Sequence, residues 1–123
     1  MGVPASLRIE IFCRDLAATA DFYERVLSFR VVRDDRPALA YVALERDGIR
    51  IGAAAADPGS PVDRRPPFGT EIVLEVDDLT LDVERIRQSG WPLDEPPTLR
   101  PWGLADVRLL DPDGYYLRLT DRG

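Results

Sequence analysis

Two stretches of this chain say the same thing. RIEIFCRDLAATADFYERVLS, starting at Arg8, aligns with EIVLEVDDLTLDVERIRQSGW, starting at Glu71, at an offset of 63 residues. Each is an alternating apolar run, then an Asp-Leu step, then an amphipathic segment. In the first copy Ile9, Ile11 and Cys13 fall on one face of a strand, with Arg8, Glu10 and Phe12 on the other. Asp15 then precedes Leu16, Ala20, Tyr23 and Leu27, an apolar stripe at helical spacing, so a capped helix is expected. The second copy puts Asp78 at the cap and Leu79, Val83 and Ile86 on the stripe, and Gly90 ends it. A repeat of this kind makes each copy one supersecondary unit.

Three more strands are expected after each helix: about Phe29 to Arg33, Leu39 to Glu45 and Ile49 to Ala54, then about Leu93 to Thr98, Ala105 to Leu110 and Tyr116 to Thr120. Asp47-Gly48 is a tight-turn signal between two of them. The segment DPGSPVDRRPP, with four prolines in eleven positions, reads as a linker. The reading is α+β, with βαβββ written twice: residues 1–56 as the first module, 57–67 as linker and 68–123 as the second, within one structural domain of 123 residues.

Composition removes whole classes of chemistry. All sixteen basic residues are Arg; there is no Lys and no His. Lysine Schiff-base chemistry, Ser-His-Asp and Cys-His devices and the commonest transition-metal ligand are therefore excluded. Cys13 is the only cysteine, so an internal disulfide is impossible, and its place on the Ile9/Ile11 face predicts burial rather than nucleophilic work. A net charge of −6 argues against nucleic acid as a partner and favours neutral or cationic ligands. No apolar run reaches membrane-span length and MGVPASLRIEIF lacks the pattern of a signal peptide, so no membrane partner and a cytoplasmic location are expected.

Phe22-Tyr23 and Leu27-Ser28-Phe29 around the first helix, Pro101-Trp102-Gly103, and Asp111-Pro112-Asp113-Gly114 before the last strand, taken in order with the repeat, resemble the vicinal oxygen chelate superfamily. This is the group of glyoxalases, bleomycin-resistance proteins and extradiol dioxygenases, and the resemblance covers nearly the whole chain. It implies two βαβββ modules curled into a half-open barrel around a cavity, commonly completed by a second subunit as a homodimer. Enzymes of the group hold a divalent metal in that cavity. Carried over by position, the metal ligands fall on Arg8, Gly52, Glu71 and Arg118, of which only Glu71 can bind a metal. No metal and no cofactor are therefore expected. The resemblance also sets Trp102 where drug-binding members present an aromatic ring to a flat ligand.

Strand alternation supplies the lining independently. If Ile9, Ile11, Ile72, Leu74, Leu117 and Leu119 pack under the helices, the opposite parity carries Arg8, Glu10 and Phe12, Glu71, Val73 and Glu75, and Tyr116, Arg118 and Thr120. Such charges are too costly to bury singly, so ion pairs are expected, with Arg8 opposite Glu71 across the repeat. The candidate ligand-binding residues are Arg8, Glu10, Phe12, Tyr41, Phe68, Glu71, Glu75, Trp102, Tyr116 and Arg118. Trp102 either meets ligand or packs a hairpin or dimer seam; Trp91 is expected in the core, and Asp111 and Asp113 as turn formers. The leading expectation is a metal-free protein that sequesters a small aromatic, in some cases cationic, natural product. Two alternatives stand beside it: a metal-independent isomerase or lyase using Glu10, Glu71 or Glu75 as base with Arg8 or Arg118, and a metal enzyme with a displaced site on Glu10, Glu71 and Glu75.

Overall fold

The computed structural model describes residues 2, 4–56 and 63–122. Its elements run β1 (Ile9–Cys13), α1 (Leu16–Arg25), β2 (Arg30–Asp34), α2 (Arg36–Leu39), β3 (Tyr41–Arg46) and β4 (Ile49–Ala55), then β5 (Ile72–Val76), α3 (Leu79–Ser89), β6 (Glu95–Leu99), β7 (Ala105–Leu110) and β8 (Tyr116–Asp121). The chain divides into two compact units, Met1–Gly59 and Ser60–Gly123. Each contains one four-stranded sheet, ordered β1-β4-β3-β2 in the first and β5-β8-β7-β6 in the second. In both, the first strand lies parallel to the last and the other pairs are antiparallel. The α+β class and the doubled βαβββ plan are thus present. Of the expected linker, residues 57–62 lie outside the described residues. Among the described residues no helix is long and apolar enough to cross a membrane.

Both helices start as the Asp-Leu steps predict. Asp15 accepts the amide of Ala18 and Asp78 that of Leu81, each at 3.0 Å, and each bond satisfies one of the donors that a helix N-terminus leaves over. Gly90, at φ 78°, closes α3 in the left-handed region, where a side chain would be strained. The apolar stripes then face their own sheets. In the first unit Tyr23 and Leu27 are fully buried with Val42, Leu44 and Ile51; in the second, Ile86 is fully buried with Val107, Leu109, Leu117 and Leu119. Each such side chain contributes about 1.5–3 kcal/mol on burial. Tyr23 also meets Phe22 and Phe29 edge-on, at centroid distances of 5.0 and 5.6 Å. Cys13 lies in this core.

The turns follow their sequences. Asp47 and Gly48 both take positive φ between β3 and β4. Asp111 folds Asp-Pro-Asp-Gly around its own carboxylate, which accepts the amides of Asp113 and Tyr115 at 2.9 Å. Asp111 and Asp113 are buried rather than displayed.

Two strands begin later than expected. Leu39 belongs to the short helix α2 and not to a strand, because the Asp34 carboxylate accepts the Arg36 amide and pairs with its guanidinium just before Pro37, which starts a helix readily. The same Arg36 hydrogen bonds hold the Asp34 carboxyl at a pKa of about 2. In the second unit β6 starts at Glu95, not Leu93, and carries a register irregularity between Glu95 and Thr98, where Pro96 and Pro97 interrupt the ladder.

Candidate functional site on the charged sheet faces

Each sheet has a greasy face under its helix and a charged face opposite. On β1 the burial alternates, with Ile11 and Cys13 buried and Glu10 and Phe12 exposed; on β5, Ile72, Leu74 and Val76 are buried while Val73 and Glu75 are exposed. On β8, Leu117 and Leu119 are fully buried and Arg118 takes the other side. Its side chain is only 22 % exposed, so it faces neither the core nor open solvent.

On the first sheet the charged face is organised around a missing side chain. Gly52 is the register partner of Glu10 on β1 and of Ala43 on β3. The Tyr41 hydroxyl donates to Glu10 Oε2 at 2.9 Å, and Arg8 Nε pairs with the same oxygen at 2.9 Å. A Cβ at position 52 would overlap both the Glu10 carboxylate and the Tyr41 hydroxyl. Burial, then the hydrogen bond to Glu10, raises the Tyr41 phenol above its usual pKa. Phe12 is 54 % exposed, and the strand register places it and Tyr41 on either side of Ala54. Two aromatics therefore flank a floor of Ala54 and Gly52.

On the second sheet the charged face is a guanidinium–carboxylate network. Asp106, fully buried, is approached by Arg100 at 2.9 Å, Arg108 at 3.5 Å and Arg118 at 3.8 Å. Glu95 pairs with Arg100 at 2.8 Å and with Arg108 at 3.6 Å. Glu71 pairs with Arg118 at 3.2 Å. Its hydrogen bonds to Asp106 and Glu95 hold Arg100 above its already high pKa, and for Arg108 the burial that opposes its charge is outweighed by Asp106 and the Tyr116 hydroxyl. Tyr116 is buried at the edge of the network; burial and then its 2.9 Å bond to Asp94 raise its phenol pKa. Asp94 also receives Arg65 at 3.1 Å. The arrangement leaves two donors over: Arg108 Nε and Arg118 Nε, on directly paired residues, are buried without acceptors among the described residues.

Ion pairs form within each unit. Arg8 takes Glu10, two residues along its own strand and on the same face, and Glu71 takes Arg118 across the β5–β8 ladder. Side chains two apart on a strand share a face, so each unit satisfies its own charges. Glu75 and Phe68 are exposed. Trp102 is 57 % exposed in its turn and so does not pack the hairpin, whereas Trp91 is half-buried and its indole donates to the Leu110 carbonyl at 2.8 Å. Asp94, Glu95, Arg100, Asp106 and Arg108 escaped the sequence reading. The alternation Asp106, Val107, Arg108, Leu109 carried the signal for two of them.

A family model described as the Glyoxalase/Bleomycin resistance protein/Dioxygenase superfamily matches residues 6–119. The chain belongs to that superfamily. No curated protein matches it significantly. Among solved structures, a bleomycin resistance determinant encoded on the transposon Tn5 is 27 % identical, with a TM-score of 0.76 over 96 % of this chain and 98 % of that one. A bleomycin-binding protein complexed with bleomycin is 26 % identical, with a TM-score of 0.74 over 99 % of this chain and all of the other. TioX from Micromonospora sp. ML1, at 19 % identity and a TM-score of 0.80 over 98 % of this chain and all of that one, shares the fold. The superfamily's metal does not fit the residues in hand. Of the four positions the resemblance assigns to it, Arg8 and Arg118 are cations, Gly52 has no donor and its space is filled by Glu10 and Tyr41, and Glu71 is held by Arg118. Among the described residues no three His, Cys, Asp or Glu groups converge.

Proposed function

We propose that this chain is a metal-free binding protein that sequesters a small, flat aromatic natural product, cationic in some cases, in the manner of a drug-resistance protein. One observation carries the reading: the positions that would hold a metal are engaged instead in internal pairs, Glu10 with Arg8 and Tyr41, and Glu71 with Arg118. A carboxylate paired with a guanidinium must give up that partner to take a metal. What the faces do offer is aromatic surface beside fixed charge: Phe12 and Tyr41 flanking Ala54, with Phe68 and Trp102 exposed in the second unit. The two buried guanidinium Nε donors without acceptors among the described residues support a face kept for binding. The names of the solved relatives at 26–27 % identity support the ligand class.

The same reading includes a cytoplasmic homodimer, in which a symmetric partner or the ligand covers the exposed Phe12, Val73 and Trp102. The test is a titration of tryptophan fluorescence with bleomycin, followed by mass spectrometry of the recovered ligand. Saturable quenching with unchanged ligand mass supports sequestration. Chemical conversion of bleomycin, or a stoichiometric metal in the purified protein, overturns it. Sedimentation gives the assembly: a single-chain mass at all concentrations removes the dimer.

A further inference from the structure

The two copies of the repeat are not equally well filled. In the first unit α1 packs on β2, β3 and β4, whereas in the second α3 packs mainly on β7 and β8. The fully buried Phe22 on α1 corresponds, at the repeat offset, to the half-buried Arg85 on α3. A cavity of about 320 Å³ is lined by Leu79, Thr80, Val83, Glu84 and Arg87 of the helix and by Pro97, Ala105 and Asp121 of the sheet. That is the lower end of the range for small-molecule sites.

This cavity is not part of the charged face. Ala105 shares its side of β7 with the buried Val107 and Leu109, and Asp121 shares its side of β8 with Leu117 and Leu119. Both point to the helix side, away from Arg108 and Arg118. Half of the lining is apolar, from Leu79, Val83, Pro97 and Ala105. Among its polar residues the charges are unequal. Arg87 is paired with Glu84 at 2.9 Å, while the half-buried Asp121 carboxylate has no hydrogen-bond or ion-pair partner among the described residues. The neighbouring cations are also engaged, Arg122 by Asp77 and Arg85 by Asp82. At the start of α3 Asp78 takes the amide of Leu81, which offsets part of the positive end of that helix. An apolar cleft with one unpaired carboxylate at its mouth is complementary to a short hydrophobic body ending in a cation.

We propose that the cavity between α3 and the β6–β7 side of the second sheet is a second binding site, for a small amphiphilic amine whose ammonium group pairs with Asp121. The site is independent of the ligand proposed for the charged faces. The probe is 2-phenylethylammonium, followed by amide chemical shifts in the full chain, with 2-phenylethanol and phenylacetate as neutral and anionic counterparts of the same shape. Saturable shifts at Val83, Ala105 and Asp121 are expected, with binding at least about tenfold tighter for the amine than for phenylacetate, a difference of about 1.4 kcal/mol. Asp121→Asn should remove that preference, and Ala105→Leu, which fills the floor, should abolish the shifts. Thr80→Trp, at an exposed position on the mouth, gives a second blocking variant should the core change unfold the chain. Asp121→Asn should leave bleomycin quenching unchanged, which separates this site from the charged faces. Equal binding of phenylacetate, shifts centred on Glu71 and Arg118, or no saturation at millimolar amine would overturn the assignment. So would shifts at the same three amides on concentrating the protein alone, which would give the cavity to a second copy of the chain.

Discussion

The Tyr41 hydroxyl reaches Glu10 Oε2 at 2.9 Å by passing over Gly52, the one residue between them that has no side chain. The pair exists only while position 52 stays empty. Gly52→Ala should therefore separate Glu10 from Tyr41, and the Tyr41 phenol, now raised by burial and by Glu10, should titrate closer to pH 10. Ultraviolet pH titration of the tyrosinate band reads this directly, and an unchanged Tyr41 transition would mean that the carboxylate simply moves aside without breaking the bond.

Alkaline stability should depend on the same phenol. A folded-state pKa above the unfolded value means that the native chain holds a proton which the unfolded chain has released, so stability is full below about pH 10 and falls as pH rises through the folded pKa. Tyr116, raised by burial and Asp94, acts in the same direction. Tyr41→Phe and Tyr116→Phe should each flatten the loss of urea-measured stability above pH 10. The double variant should flatten it most.

Asp106 is the counter-ion on which Arg100, Arg108 and Arg118 all converge, and it is fully buried. Asp106→Asn leaves those guanidiniums without their shared charge, a change of the kind that costs about 3–5 kcal/mol. Urea unfolding should show that loss. A cost below about 1 kcal/mol would mean that Glu71 and Glu95 carry the network by themselves.

The two tryptophans should separate cleanly. Trp102→Ala removes a ring that is more than half exposed, so the unfolding free energy should stay within about 0.5 kcal/mol while bleomycin quenching falls. Trp91→Phe instead strands the Leu110 carbonyl and should cost about 1–3 kcal/mol with quenching retained. The reverse pattern would assign the ligand to the wrong ring.

Much of this architecture could be read directly from residue order. The alternation through Ile9 to Cys13 and Ile72 to Val76 sets the buried face of each sheet, and Leu117 and Leu119 put Arg118 opposite the core. Partner choice could not be read. Alternation shows which face a charge occupies but not how far a guanidinium reaches, so the pairing of Arg8 with Glu10, two residues along its own strand, has no signal in the sequence. The helix α2 is hidden for a related reason: Arg36-Pro37-Ala38-Leu39 has no periodicity at that length, and the Arg36 amide at its start donates to the Asp34 side chain. The cavity beside α3 has no signal in the sequence, because its lining joins one flank of the helix to residues from three strands.

The two prolines of β6 limit how this protein can associate with anything. Pro96 and Pro97 carry no amide hydrogen, and they sit in the outermost strand of the second sheet. Adjacent amides on a strand point to opposite sides, so an incoming strand would find one donor missing there and a border distorted by the other proline, a poor template for a longer sheet. The border formed by β2, whose sequence Arg30 to Asp34 contains no proline, keeps its full set of donors. Of these two margins, only the β2 side is open to backbone recruitment, and any partner meeting β6 must do so through side chains.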